Sequence, residues 1–174
     1  MDLKKIKILG AFLVFGLCIG LHFLYGFLPN FFTSIIAPVN ESIWEHMKLI
    51  YSSFILYGIL EFILFRNKVE LNNFLLQLFL VPVIGIITYL IIFLPLYNIF
   101  GENMFISIGL LLIIIILEEI ISYFMLRRNK IGYQRIIGIT GIIIGYFIFG
   151  ILTYNPIQTE LFIDPKTNTY GIEK

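Results

Sequence analysis

The stretch FISIGLLLIIIILEEIISYFML, Phe105 to Leu126, decides the fold class. Its only charged side chains are the adjacent Glu118 and Glu119. As an α-helix rising 1.5 Å per residue, about 22 residues reach ~33 Å, enough to cross a hydrocarbon core of about 30 Å. In lipid, a spanning segment must satisfy its own backbone hydrogen bonds, so the run of isoleucines reads as helix despite its β-branching. Four similar segments flank it, at Ile6–Leu28, Ile43–Phe65, Phe74–Leu94 and Ile136–Tyr154. The chain has 174 residues, 59% hydrophobic and 13% charged. Soluble domains run about half apolar and about a quarter charged, and a small soluble fold has too much surface to hide this excess. The expectation is an all-α integral membrane protein: a single transmembrane domain, residues 1–174, with helices at about 6–28, 43–65, 74–94, 105–126 and 136–154 and a tail at 155–174.

The basic residues orient that bundle. Lys4, Lys5 and Lys7 precede or open the first segment, Arg66 and Lys68 follow the second, and Arg127, Arg128, Lys130 and Arg135 separate the last two. These nine of twelve Lys and Arg fall on one side of a five-helix weave, leaving Lys48, Lys166 and Lys174 on the other. Cytoplasmic loops carry the basic excess. The N-terminus is therefore expected inside and the C-terminus outside, in the bacterial cytoplasmic membrane, with 29–42, 95–104 and 155–174 external. The first segment reads as a signal anchor rather than a cleaved signal peptide, because its apolar run is long and no small-x-small site follows. A net charge of +1 argues against nucleic acid as a partner. Cys18, the single cysteine, excludes an intramolecular disulfide and CxxC-type metal sites. Gly16-x-x-x-Gly20 and Gly141-x-x-x-Gly145 are expected at helix–helix contacts, within the bundle or in a homo-oligomer.

Polar groups that lipid penalises carry the functional information. The densest run is Pro38-Val39-Asn40-Glu41-Ser42-Ile43-Trp44-Glu45-His46-Met47-Lys48, which opens the second segment. Part of it is capping: Asn40 or Ser42 can be the N-cap, and Glu45 can close an S-x-x-E box. Capping needs one or two polar residues, and this run holds more. Helix geometry puts Glu41, Glu45, Lys48 and Ser52 on one face and Ser42, His46 and Ser53 about 100° away. His22, late in the first helix, is the other histidine and falls at the same expected outer end. Asp164 lies in the tail, in Phe162-Ile163-Asp164-Pro165-Lys166-Thr167-Asn168-Thr169-Tyr170-Gly171, whose turn chemistry and apolar residues suit folding back over the helix mouths.

Two histidines with carboxylates suit a divalent metal such as Zn, or an acid–base pair. The site expected on these grounds has Glu45 and His46 as acid–base groups, and His22, His46 and Glu45 as metal ligands. Asn40, Glu41, Ser42, Lys48 and Asp164 join His22 in binding a small polar ligand or a lipid substrate, and the reaction expected of it is hydrolysis. A second polar set lies toward the other end: Glu61, Glu118 and Glu119, with Gln77, Ser122 and Thr140 at similar depth. It reads either as a structural network, with Glu61 meeting Arg66 or a loop arginine, or as the ion pathway of a small permease or channel component. A non-catalytic scaffold or partner subunit is the third alternative.

The 38–48 run resembles the hallmark of an uncharacterised bacterial multi-pass membrane-protein family, a domain of unknown function. The late His22 and the ending Phe162-Ile163-Asp164-Pro165-Lys166-Thr167-Asn168-Thr169-Tyr170-Gly171-Ile172 are similar to that family too, so the resemblance spans nearly the whole chain. It implies a membrane-protein class and no mechanism.

Overall fold

The computed structural model describes residues 2–67 and 71–172, so Lys68 and Lys174 of the charge argument lie outside the described residues. The described residues form six helices: α1 Leu3–Phe27, α2 Phe31–Ile36, α3 Ile43–Phe65, α4 Phe74–Phe100, α5 Met104–Arg127 and α6 Gln134–Tyr154. Five of them, all but α2, are long and apolar enough to cross a membrane.

Short polar side chains set where most of these helices begin. Asp2 caps α1 by accepting from the Lys5 amide at 2.9 Å. Asn103 caps α5, and Ser42 caps α3. Asn30 and Thr33 form a reciprocal capping box at the start of α2. That helix falls where a plain loop was expected. Its six residues are too few to show a 3.6-residue period, and the Asn30/Thr33 pair was its only signal in the sequence. The second difference is α4, which runs six residues beyond Leu94, through both Pro82 and Pro95. It stops at Gly101, whose φ of 68° is left-handed and whose amide returns to the Tyr97 carbonyl at 2.8 Å. Asn73, also left-handed, fixes the opposite end of α4. Its Nδ2 donates to the Met125 and Asn129 carbonyls, and its Oδ1 accepts from the Ile131 amide at 2.7 Å.

α3 is the central element. Two-thirds of its most apolar stretch (67%) is buried, against 22–33% for the other long helices. Its polar residues therefore face other helices rather than the surroundings. α1 packs on α3 and α5, and α4 on α3, α5 and α6. Core side chains such as Ile50, Tyr51, Phe54 and Ile114 fill the middle. The outside is studded with exposed Phe12, Phe27, Ile63, Ile91, Phe105 and Phe147. A water-facing surface of this kind would aggregate, whereas a lipid-facing one is ordinary.

Glycines permit close contacts between α6 and its neighbours. A Cβ on Gly138 would strike the backbone of Leu75 and Leu76, and one on Gly141 would strike the Phe79 ring. A Cβ on Gly145 would strike Tyr51. The α1 pair departs from expectation: Gly16 and Gly20 are exposed and meet nothing within 4 Å. They lie on the outward face of α1 and make no contact within the bundle.

Candidate metal centre at the mouth of α3

The chain enters α3 through a sharp bend, and that bend rearranges the side-chain faces predicted for a continuous helix. Ser42 is the N-cap, its hydroxyl accepting from the Glu45 amide at 3.3 Å, while Asn40 Oδ1 accepts from the Ser42 amide at 3.0 Å. Glu41 therefore precedes the helix and does not share the face of Glu45. It turns instead toward His46, with Glu41 Oε2 3.4 Å from His46 Nε2. The His22 ring, from α1, stands 5.3 Å from the His46 ring between centroids. His22, Glu41 and His46 each offer one ligand atom, and these atoms all lie within 4.8 Å of one another.

The tautomer of His46 follows from its other nitrogen. Nδ1 sits 2.9 Å from the Ser42 carbonyl oxygen, which can only accept, so Nδ1 carries the hydrogen. Nε2 then faces the Glu41 carboxylate as a bare lone pair unless a cation lies between them. A proton on Nε2 is one such cation and a metal ion is the other. Lys166, from the tail, holds the far carboxylate oxygen, with Nζ 2.9 Å from Glu41 Oε1. The hydrogen bond from His46, opposed by partial burial and reinforced by Lys166, holds the Glu41 carboxyl down at about 2. The same pairing raises the exposed Lys166 ammonium above its ordinary value.

The tail does fold back. Asp164 is buried, and its Oδ2 accepts from the Glu41 amide at 3.2 Å while Oδ1 accepts from the Lys166 amide at 2.8 Å. Asn40 Nδ2 donates to the Gly171 carbonyl at 2.9 Å, and the Trp44 amide donates to Leu161 O at 2.9 Å. The Trp44 indole stacks on Phe162, centroids 5.0 Å apart. Asp164 and Asn40 are thus spent on tying the tail to the α3 mouth, which sets the positions of Glu41 and Lys166.

Glu45 and Lys48 belong to a different group. Both are buried inside the bundle and bonded to each other. Lys48 Nζ also donates to Ser34 O at 2.6 Å and to Thr153 Oγ1 at 2.7 Å. Glu45 accepts from Thr153 at 2.9 Å and from the Val39 amide at 3.0 Å. This clamp joins the loop after α2 to α3 and α6. The metal set expected from sequence, His22, His46 and Glu45, is accordingly rearranged: Glu41 occupies the place beside the histidines. The physical reason is the Ser42 cap, which starts the helix after Glu41.

The second polar set lies toward the other end of the bundle. Glu61 pairs with Lys7 at 2.7 Å and not with an arginine, and Glu119 Oε2 is 3.4 Å from the same ammonium. Glu118 is fully buried. Lys7, Thr153 and Lys166 were missed in the sequence. Lys7 was read as part of the basic flank and Lys166 only as a basic residue on the outer side, and Thr153 was not singled out. None carried a local signal, because their partners lie 54, 105 and 125 positions away.

Fold and geometry define a class: a small α-helical bundle, suited by five apolar helices to a membrane, with a histidine–carboxylate cluster at one end. The chain belongs to DUF6512, a family of unknown function, whose profile matches residues 1–172. No curated protein and no solved structure matches it.

Proposed function

We propose that this is an integral membrane protein of the bacterial cytoplasmic membrane, N-terminus inside. At its external end it would bind a divalent transition metal of the zinc class between His22, Glu41 and His46. The observation that carries the reading is the 3.4 Å separation of Glu41 Oε2 and His46 Nε2. Two ligands of a tetrahedral zinc ion, each at about 2.0–2.2 Å, stand about 3.3–3.5 Å apart. The surroundings suit that occupant. The Ser42 carbonyl fixes the His46 ring in the tautomer that leaves Nε2 free, and Lys166 holds the Glu41 oxygen that faces away from it. Among the described residues, no other group of three histidine, cysteine or carboxylate side chains is so close.

His22, Glu41 and His46 would hold the ion, and a zinc-class ion with three protein ligands would supply an acidified water for hydrolysis. At the membrane face such a group suits hydrolysis of a lipid or lipid-linked bond, with Asp164 and the tail as a cover over the site. The first test is metal content of protein purified through a histidine-free tag. One zinc-class ion per chain is expected in the wild type, lost in His22→Ala and His46→Ala. No metal in any sample, or equal metal in all, overturns the proposal.

A further inference from the structure

At the end of the bundle away from the histidines, four ionisable side chains are withdrawn from solvent. Lys7 of α1 is 4% exposed, Glu61 of α3 1%, and Glu118 and Glu119 of α5 0% and 4%. Lys7 bonds Glu61 at 2.8 Å and reaches toward Glu119 at 3.4 Å. The Tyr57 hydroxyl of α3 is committed to the Ile6 carbonyl at 3.0 Å. The Cys18 thiol of α1, within electrostatic range of Glu118, donates to Ser53 at 3.2 Å. Arg127 of α5, the nearest arginine along that helix, bonds Tyr123 on its own helix instead.

The charge count does not close. One ammonium faces three carboxyl groups, and an unpaired ionised carboxylate inside a bundle costs several kcal/mol. Both oxygens of Glu118 lack a hydrogen-bond donor, and Glu119 has only the Lys7 ammonium, 3.4 Å from its Oε2. Two further polar side chains, Ser122 of α5 and Gln77 of α4, are fully buried and also without partners. Ser122 is one turn from Glu118 on the same face of α5. Gly85 of α4 makes room for the Glu118 carboxyl, since a Cβ there would strike it. The residues have oxygen ligands and a deficit of positive charge. Among the described residues these carboxyl groups do not gather into a three-ligand cluster like that of the histidines.

We propose that Glu118 and Glu119, with Lys7, Glu61 and Ser122, form a second site that takes up an exchangeable monovalent cation, either a proton or a sodium ion. A cleft of about 510 Å³ at this end has a lining that includes Leu3, Lys4, Asn72, Tyr123, Leu126 and Arg127. Leu3 and Leu126 are each one helical turn, about 6 Å, from Lys7 and Ser122. The site lies at the opposite end from the histidine cluster and stands independently of the metal reading.

The test is infrared spectroscopy of the full chain in lipid at neutral pH, in sodium chloride and in choline chloride, with Glu118→Gln and Lys7→Met beside the wild type. A protonated-carboxyl C=O band in both salts, weakened in Glu118→Gln and strengthened in Lys7→Met, identifies the proton. A band present in choline and removed by sodium, with a sodium-dependent rise in thermal midpoint that Glu118→Gln abolishes, identifies sodium. Absence of the band in both salts, together with no sodium-dependent stabilisation, overturns the site. Lys7→Met keeps the test decisive should the glutamine variant fail to fold, because removing the ammonium must add one neutralised carboxyl.

Discussion

Replacing Lys48 with Met separates structural from functional roles at the α3 mouth. Lys48 has no exposed surface, and its ammonium bonds Glu45, Thr153 and the carbonyls of Ser34 and Ala37. Met fills a similar volume but leaves the Glu45 carboxylate buried with only Thr153 and the Val39 amide as donors. Removing one partner of a buried pair costs about 3–5 kcal/mol. For a chain of this length each kcal/mol moves the midpoint by about 2–4 °C, so a fall of about 6–20 °C is expected. Adding Glu45→Gln removes the orphaned charge and recovers about 1–4 kcal/mol of that loss. The chain supplies its own reporter: Cys18 is its single cysteine and is buried, so a thiol-reactive dye in the melt labels unfolded protein. Bound metal should stay at the wild-type level in the folded variant. An unchanged midpoint refutes the clamp, and lost metal beside it returns Glu45 and Lys48 to the site.

Acid should loosen the tail. In the metal-free protein with His46 protonated, the Glu41 carboxyl is held at about 2, below its ordinary 4.5, so its bonds to His46 and Lys166 are complete just above pH 4.5 and are lost as pH falls toward 2. Limited acid-protease cleavage beyond residue 155 should rise across that window in the wild type and rise less in Glu41→Gln; identical profiles would refute the linkage. Gly138→Ala should destabilise by more than about 2 kcal/mol, because the backbone of Leu75 and Leu76 cannot yield, whereas Gly16→Ala should be neutral or stabilising by up to about 1 kcal/mol through helix propensity. Thermal midpoints of the two variants check this, and equal shifts would contradict the packing.

Composition and the length of the apolar runs were enough to read five apolar helices from the sequence, because hydrophobic length is a local property that lipid selects strongly. The position of the polar run at the opening of α3, and the turn chemistry of the tail, were legible for the same reason. What the tertiary structure decided is which of those groups meet. His22 and His46 come together only because α1 packs on α3, and Glu41 replaces Glu45 beside them because Ser42 starts the helix one residue too late to include it. Lys166 reaches Glu41 across 125 positions, and Lys7 reaches Glu61 across 54. Hydrophobic spans are written into neighbouring residues; charge pairing inside the bundle depends on helix rotation and end geometry, which no local stretch of sequence encodes.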